Sequence, residues 1–366
     1  MKLYGNFKGG VNEEEFEMKV LYGLLIFIPI SIIGHFASFD GTAMFIMSAL
    51  SIVGLAAVMG RATENAAHYL GEKIGGFLNA TFGNAAELLI NIFALKAGLV
   101  DVVKASIVGS IIGNILLVFG LSLLCGGIKN KVLKYNIKAV ELNSSLLFFS
   151  IIGISLPAVF VHTMSSDSTK VEEFSLVIAI FMFILYFLQI IFTFVTHKDA
   201  FIETEEVNKE SEEKPDWSLK TSIAILIGVT VILGIESEFF TASVESMTTT
   251  LGLSEAFVGL IMIPVIGNAA EHSTAVVMAM KNKMNTAIEV SVGSTLQVIL
   301  FVMPVLVFVS FIWTPMNLIF TPFEIVALIC SVLIANRVIE DGRSNWLEGV
   351  QLLGIYLIIA IAFFIV

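Results

Sequence analysis

Charge is scarce in this sequence: only 14% of its 366 residues are Asp, Glu, Lys or Arg, while 57% are hydrophobic. Soluble domains carry about 25% charged and about 45–50% apolar residues. The imbalance excludes a soluble globular chain. Cysteine is nearly absent, and Cys125 and Cys330 both fall in apolar runs. That excludes a disulfide framework. Proline is sparse (7) and phenylalanine plentiful (30), as suits helices that face lipid. The net charge of −11 is gathered largely in one polar segment and in isolated positions within apolar runs. No basic patch offers itself to nucleic acid. A cleavable signal peptide is not expected either. The start is polar (Gly9, Gly10, Glu13, Glu14, Glu15), and no small-residue cleavage site follows the first apolar run.

What the sequence does have is apolar runs near the length that a hydrocarbon core about 30 Å thick demands of a helix. Eleven spans are expected, near 20–38, 41–70, 74–97, 100–124, 139–161, 172–195, 219–249, 254–281, 285–312, 322–339 and 345–366. They are too long and too uniformly apolar for barrel strands, which alternate over about 10 residues. Helices are therefore the spanning form, because lipid satisfies no backbone polar group. With the N-terminus in the cytoplasm, 17 of the 20 basic residues fall on the cytoplasmic side, leaving Lys96, Lys104 and Lys170 outside. This positive-inside bias fixes the orientation. An odd span count then puts the C-terminus outside.

Residues 83–87 read GNAAE, and so do residues 267–271. The match continues without a gap at an offset of 184: Val108, Gly109 and Ser110 align with Val292, Gly293 and Ser294. Upstream, Glu64 and Gly71 correspond to Glu245 and Gly252. A duplication is the economical explanation. The chain then divides into a tail and extra helix (1–40), a first repeat (41–196), an acidic cytoplasmic loop (197–218) and a second repeat (219–366). Each repeat holds five spans. Five is odd, so the second unit enters the membrane inverted, an architecture of transporters with the ion site at the repeat interface. The expected fold class is thus an all-α integral membrane protein of about 11 transmembrane helices. The acidic stretch 197–217 reads either as a solvated linker or as a regulatory, cation-attracting segment.

Glu87 and Glu271 lie well inside spans. A charge at the bilayer centre costs about 2.5–3.5 kcal/mol on insertion scales, so each needs a partner, a proton or a cation. The bland alternative is a hydrogen-bonded packing pair. Asn84 and Asn268 precede the glutamates by three residues and share their helix faces. Gly83 and Gly267 weaken the helix there, and a broken helix frees carbonyls at membrane depth. Spans 4 and 9 add Ser110 with Asn114, and Ser294 with Gln297, which serve either the ion or helix–helix hydrogen bonding. Every candidate ligand is an oxygen, which argues against zinc or copper. Calcium takes 6–8 oxygens in a flexible shell and fits better than magnesium, with manganese or another divalent cation as alternatives. Protons and calcium then compete for the same two carboxylates. No resident cofactor is called for. Glu271–His272 is not an HExxH motif, and no nucleophile–base constellation stands out, so an enzyme is not expected.

The stretches GNAAELLINIFALKAGLVDVVKASIVGSIIGNILLVFG and GNAAEHSTAVVMAMKNKMNTAIEVSVGSTLQVILFV resemble the paired repeats of the cation/proton exchanger family, within the calcium/cation antiporter superfamily. The resemblance runs from about residue 50 to the end. It implies an antiporter of Ca2+ and H+ in which Glu87 and Glu271 bind both ions and Asn84, Asn268, Ser110, Ser294 and Gln297 sit in or beside the site. Glu64, Glu238, Glu245 and Asn114 would line the access routes, with interfacial solvation as the alternative for the three acids. It also implies a membrane-embedded assembly that can be a homotrimer. The compact chain points to a prokaryotic plasma membrane, with a vacuolar membrane as the alternative. A sodium/calcium exchanger is the rival reading, and a passive channel a more distant one.

Overall fold

The computed structural model describes residues 13–161, 168–197 and 215–365. Helix dominates. In chain order the helices are α1 (Met18–Phe36), α2 (Gly41–Phe82), α3 (Ala85–Lys96), α4 (Val100–Asn130), α5 (Ile137–Phe160) and α6 (Thr169–Thr196). They continue as α7 (Leu219–Leu251), α8 (Glu255–Gly267), α9 (Ala269–Met280), α10 (Met284–Ser310), α11 (Pro322–Ile339) and α12 (Trp346–Ile365). Among the described residues the only strands are β1 (Leu133–Lys134) and β2 (Arg343–Ser344), an antiparallel clip between two loops. Tyr135 reinforces the clip, its hydroxyl 2.9 Å from Ser344 Oγ. Burial pushes the Tyr135 phenol up to about 12, so it stays neutral at any working pH.

Helix ends follow local chemistry. The Asp40 carboxylate accepts the Thr42 N–H at 3.0 Å at the start of α2. Thr321 and Glu324 form a reciprocal capping box at the start of α11. Gly252 (φ 66°, ψ 30°) closes α7 in the left-handed conformation. Gly71 (φ 77°, ψ 168°), its counterpart in the first repeat, kinks α2 in a region open in practice only to glycine.

Among the described residues nine helices are long and apolar enough to cross a membrane, and a tenth arises if α8 and α9, bent by 62°, count as one span. This differs from the eleven expected. The difference lies at 74–97, where α2 runs on past Gly71 to Phe82 and gives way at Gly83–Asn84 to the 12-residue α3. That stretch is two short rods, and neither alone reaches the length of a span. The 197–217 acidic stretch lies almost wholly outside the described residues.

Burial sorts the helices. In α4, 83% of the span is enclosed by protein, against 11% in α1 and 17% in α6, whose remaining surfaces are apolar. Two apolar clusters make up the interior. One gathers residues of α4 to α6 and α9 to α12, the other residues of α2, α3, α7 and α8. Helix α3 straddles them, giving Ala94 and Leu95 to the first and Ala85, Ala86 and Ile90 to the second. At this seam α3 also carries the buried Glu87 and Asn91. π-type turns interrupt α4 at Gly113–Val118, α8 at Val258–Met262 and α10 at Glu289–Gly293 and Val298–Val302. Such turns loosen the ladder and recur at functional sites.

Candidate cation site

The two GNAAE stretches break their helices in the same way. Asn84 (φ −96°, ψ 13°) and Asn268 (φ −110°, ψ 11°) each leave the helical conformation, and a new helix starts at the next residue. Glu87 and Glu271 therefore sit in the first turns of α3 and α9. The rods ending at Gly83 and Gly267 leave their last carbonyls without helical partners.

The breaks cross. A Cβ added to Gly83 would lie 2.7 Å from Glu271 Oε1, and one added to Gly267 would lie 3.4 Å from Glu87 Cα and Cβ. Each motif's glycine makes room for the other motif's glutamate. This explains why the glycine stands where a helix former would otherwise serve.

Seven of the residues picked from the sequence fall into two hydrogen-bonded groups that meet at this crossing. Ser110 Oγ donates to Glu87 Oε1, and Asn268 Nδ2 donates to Glu87 Oε2 at 3.3 Å. Ser294 Oγ donates to Glu271 Oε2 at 2.5 Å and lies 3.4 Å from Asn84 Oδ1. Asn84 Nδ2 donates to Gln297 Oε1 at 2.5 Å. Glu87 is fully buried, whereas Glu271 is half-buried. Asn268 Oδ1 is buried with no partner among the described residues, an acceptor free for a cation.

The other four residues stand apart. Asn114 is buried one turn beyond Ser110 with Nδ2 unpartnered, and bonds to neither glutamate. Glu64 is exposed beside Arg61 at 3.4 Å, and Arg61 also holds Asp216 at 2.7 Å. Glu238 pairs with Lys96 at 2.7 Å on the surface, and Glu245 is exposed in α7. Sequence reading missed Asn91, which lies one turn after Glu87, donates to the Glu87 carbonyl at 3.0 Å and keeps a buried, unpartnered Oδ1. Its i+4 spacing from Glu87 was the available signal. Glu236, fully buried in α7, was missed as well.

The two flanks of the cluster are packed differently. On α4 the face leading to the site is Val102, Ala105, Gly109 and Gly113, all buried. Gly109 lies against the Leu260 backbone of α8, and a Cβ on Gly259 would come within 2.6 Å of the Val102 carbonyl. The equivalent face of α10 is Thr286, Glu289, Gly293 and Gln297, exposed at the first two and half-buried at the others. A Cβ on Gly293 would meet nothing nearer than the Glu289 side chain at 3.9 Å. The cluster is sealed where α4 meets α8 and open along α10.

Two carboxylates with amide and hydroxyl oxygens are the donor types that a hard cation takes, and among the described residues no cluster of three or more His, Cys, Asp or Glu competes with them. Broken helices meeting around paired acids inside an all-α bundle define a membrane transporter of cations. Residues 41–195 and 221–365 match the sodium/calcium exchanger protein family, and the chain belongs to that family. It is 46% identical over 359 residues to the Ca(2+)/H(+) antiporter of Aphanothece halophytica, covering 94% of this chain and 96% of that one. It is 44% identical over 340 residues to the Ca(2+)/H(+) antiporter ChaA of Bacillus subtilis (strain 168), covering 92% and 96%. The solved structure of native YfkE superposes with a TM-score of 0.82 at 39% identity, covering 95% of this chain and all of that one.

Proposed function

We propose that this protein exchanges Ca2+ for H+ across the membrane, with both ions binding at Glu87 and Glu271. The observation that carries the proposal is the crossing of two identical helix breaks, which sets the two carboxylates among uncharged oxygen ligands at the seam of the bundle. Asn84, Asn268, Ser110, Ser294 and Gln297 complete or orient the ligand set. Relatives that are 44–46% identical over nearly their whole length and named Ca(2+)/H(+) antiporters support this choice over sodium/calcium exchange.

Charge balance supplies the coupling. Two ionised carboxylates cancel one calcium ion, and two protons cancel the same two carboxylates. The empty, doubly charged pair is costly in a dry interior. Only the calcium-loaded and the protonated forms therefore rearrange readily, and each passage of calcium is answered by protons. Titration belongs to the pair rather than to either residue.

The same reading covers the architecture. One extra helix precedes two inverted units, 41–196 and 219–366, joined by the segment 197–218. The N-terminus is cytoplasmic and the C-terminus external, so the open flank along α10, near Lys281 and Lys283, faces the cytoplasm. Glu64, Glu238, Glu245 and Asn114 lie along the approaches. The setting is a prokaryotic plasma membrane, with assembly as a homotrimer. Calcium flux into proteoliposomes under an imposed pH gradient, without sodium, tests the proposal. Uptake that follows the pH gradient is expected; uptake that requires a sodium gradient overturns it.

A further inference from the structure

A third carboxyl is buried in the bundle, outside the crossing. Glu236 sits near the middle of α7 with no exposed surface. Its Oε1 lies 2.5 Å from Ser31 Oγ of α1, and its Oε2 is buried without a hydrogen-bond partner among the described residues. Among the described residues the hydroxyl of Ser51 on α2 is the other group that acts on it.

Few hydrogens are available to an ionised Glu236. Ser31 has one hydroxyl hydrogen and also lies 2.8 Å from the Ile28 carbonyl, which can only accept. Ser51 likewise donates to the Met47 carbonyl at 3.0 Å. The single Ser31 hydrogen serves either Glu236 Oε1 or the Ile28 carbonyl, so an ionised Glu236 would have at most that one short donor and an Oε2 with none among the described residues. A bare carboxylate so placed would carry its charge with one oxygen wholly unpaired, whereas a protonated one can itself donate to Ser31.

Among the described residues no cation compensates it. On the packed elements, His35 of α1 stacks on Phe239 at 4.4 Å and Asp40 caps α2. Arg61 of α2 is held by Asp216 and Glu64, and Lys96 of α3 by Glu238 on α7. Glu87 of α3 is engaged by Ser110 and Asn268. Lys19 stands 12 residues before Ser31 on α1, about 18 Å along a helix. Tyr22, His68, Lys220 and Glu245 are not among the hydrogen-bond partners of its oxygens, of which Oε1 meets Ser31 and Oε2 meets none among the described residues.

We propose that Glu236 is a further proton-binding site of this protein, whose proton seats α1 on α7. The seat is narrow, because Ser31 and Gly34 are the only buried residues of Phe27–Phe36. Losing the proton would set a bare charge against Ser31, and α1 would have to lift or admit water. Glu236 has no acidic counterpart in the first repeat, and α1 lies outside both repeats. The site therefore acts on the added helix rather than on the transported ion.

The test is infrared spectroscopy of the full chain in lipid nanodiscs, in a Glu87→Gln/Glu271→Gln background so that the transport pair contributes nothing. At neutral pH the carbonyl stretch of a protonated carboxylic acid should be present and should be lost on adding Glu236→Gln. Identical spectra overturn the proposal. Hydrogen exchange of residues 27–36, corrected for the intrinsic rate, gives the second readout. Protection should fall as the pH is raised in the chain that keeps Glu236 and stay constant in Glu236→Gln; the same pH response in both overturns it. Glutamine mimics the protonated acid, so a Glu236→Gln chain that fails to fold also counts against it. Neither readout involves calcium movement, so the result is independent of the transport reading.

Discussion

The two copies of GNAAE have the same sequence and opposite surroundings. Glu87 has two donors, Ser110 and Asn268, and no exposed surface. Glu271 has one, Ser294, and is half-buried. The helix faces that lead to the site differ in the same sense: Val102, Ala105, Gly109 and Gly113 are sealed, while Thr286, Glu289, Gly293 and Gln297 are open. The two glutamates themselves are chemically equivalent, although the flanks differ in polarity. Exchanging the surroundings of the two glutamates would give a second state open on the opposite side. In such a state α10 would pack against the stretch after Gly71 as α4 now packs against α8.

The largest expected effect comes from removing either carboxylate. Glu87→Gln and Glu271→Gln should each reduce pH-driven calcium uptake to background while the protein remains folded, despite the unequal burial of the two residues. Substantial uptake by either variant would mean that the two halves are not used as a pair.

Next in size is the packing of the two flanks. Gly259→Ala brings a Cβ within 2.6 Å of the Val102 carbonyl, whereas Gly293→Ala meets nothing nearer than 3.9 Å. Overpacking costs about 1–3 kcal/mol, or roughly 5- to 150-fold in the ratio of two states. Gly259→Ala should slow labelling of a cysteine placed at the exposed Thr286, by shifting molecules to the state in which α10 is packed. Gly293→Ala should leave labelling unchanged or faster. Equal effects of the two substitutions would break the comparison.

Smaller effects are expected from the uncharged ligands. Asn84→Ala, Asn268→Ala and Gln297→Ala should each weaken calcium binding by about 1–2 kcal/mol, roughly 5- to 30-fold, because water replaces each lost oxygen imperfectly. Calorimetry in detergent measures this, with thermal unfolding as the control for folding. Unchanged affinity across all three would return them to helix packing.

Much of this was legible in the sequence. The repeated pentapeptide picked out Glu87, Glu271 and their asparagines, and the 184-residue offset picked out Ser110 and Ser294. Span lengths announced an all-helical membrane chain. Other features depend on contacts that no local pattern encodes. The stretch 74–97 reads as one apolar span because a hydropathy window averages across Gly83–Asn84, where the chain turns. The cross-link from Asn84 to Gln297 joins residues 213 apart and exists only once the breaks cross. Glu236 was hidden by its neighbour Glu238: two residues apart on one helix, one faces Lys96 at the surface and the other is covered by α1. The difference between the flanks was only partly legible: Thr286, Glu289 and Gln297 are more polar than Val102, Ala105 and Gly113, but the close packing of Gly109 and Gly259 that seals one flank joins residues about 150 apart.

The central claim is that calcium and protons share Glu87 and Glu271, and the most direct test is to count protons released when calcium binds. In a weakly buffered medium, each calcium bound should release protons at one or more values between about pH 5 and pH 8, and calcium affinity should fall as the pair takes up protons on acidification. In Glu87→Gln the release should diminish together with binding. Calcium binding with no proton release anywhere in that range would contradict the account and move the proton pathway to carboxyls outside the crossing.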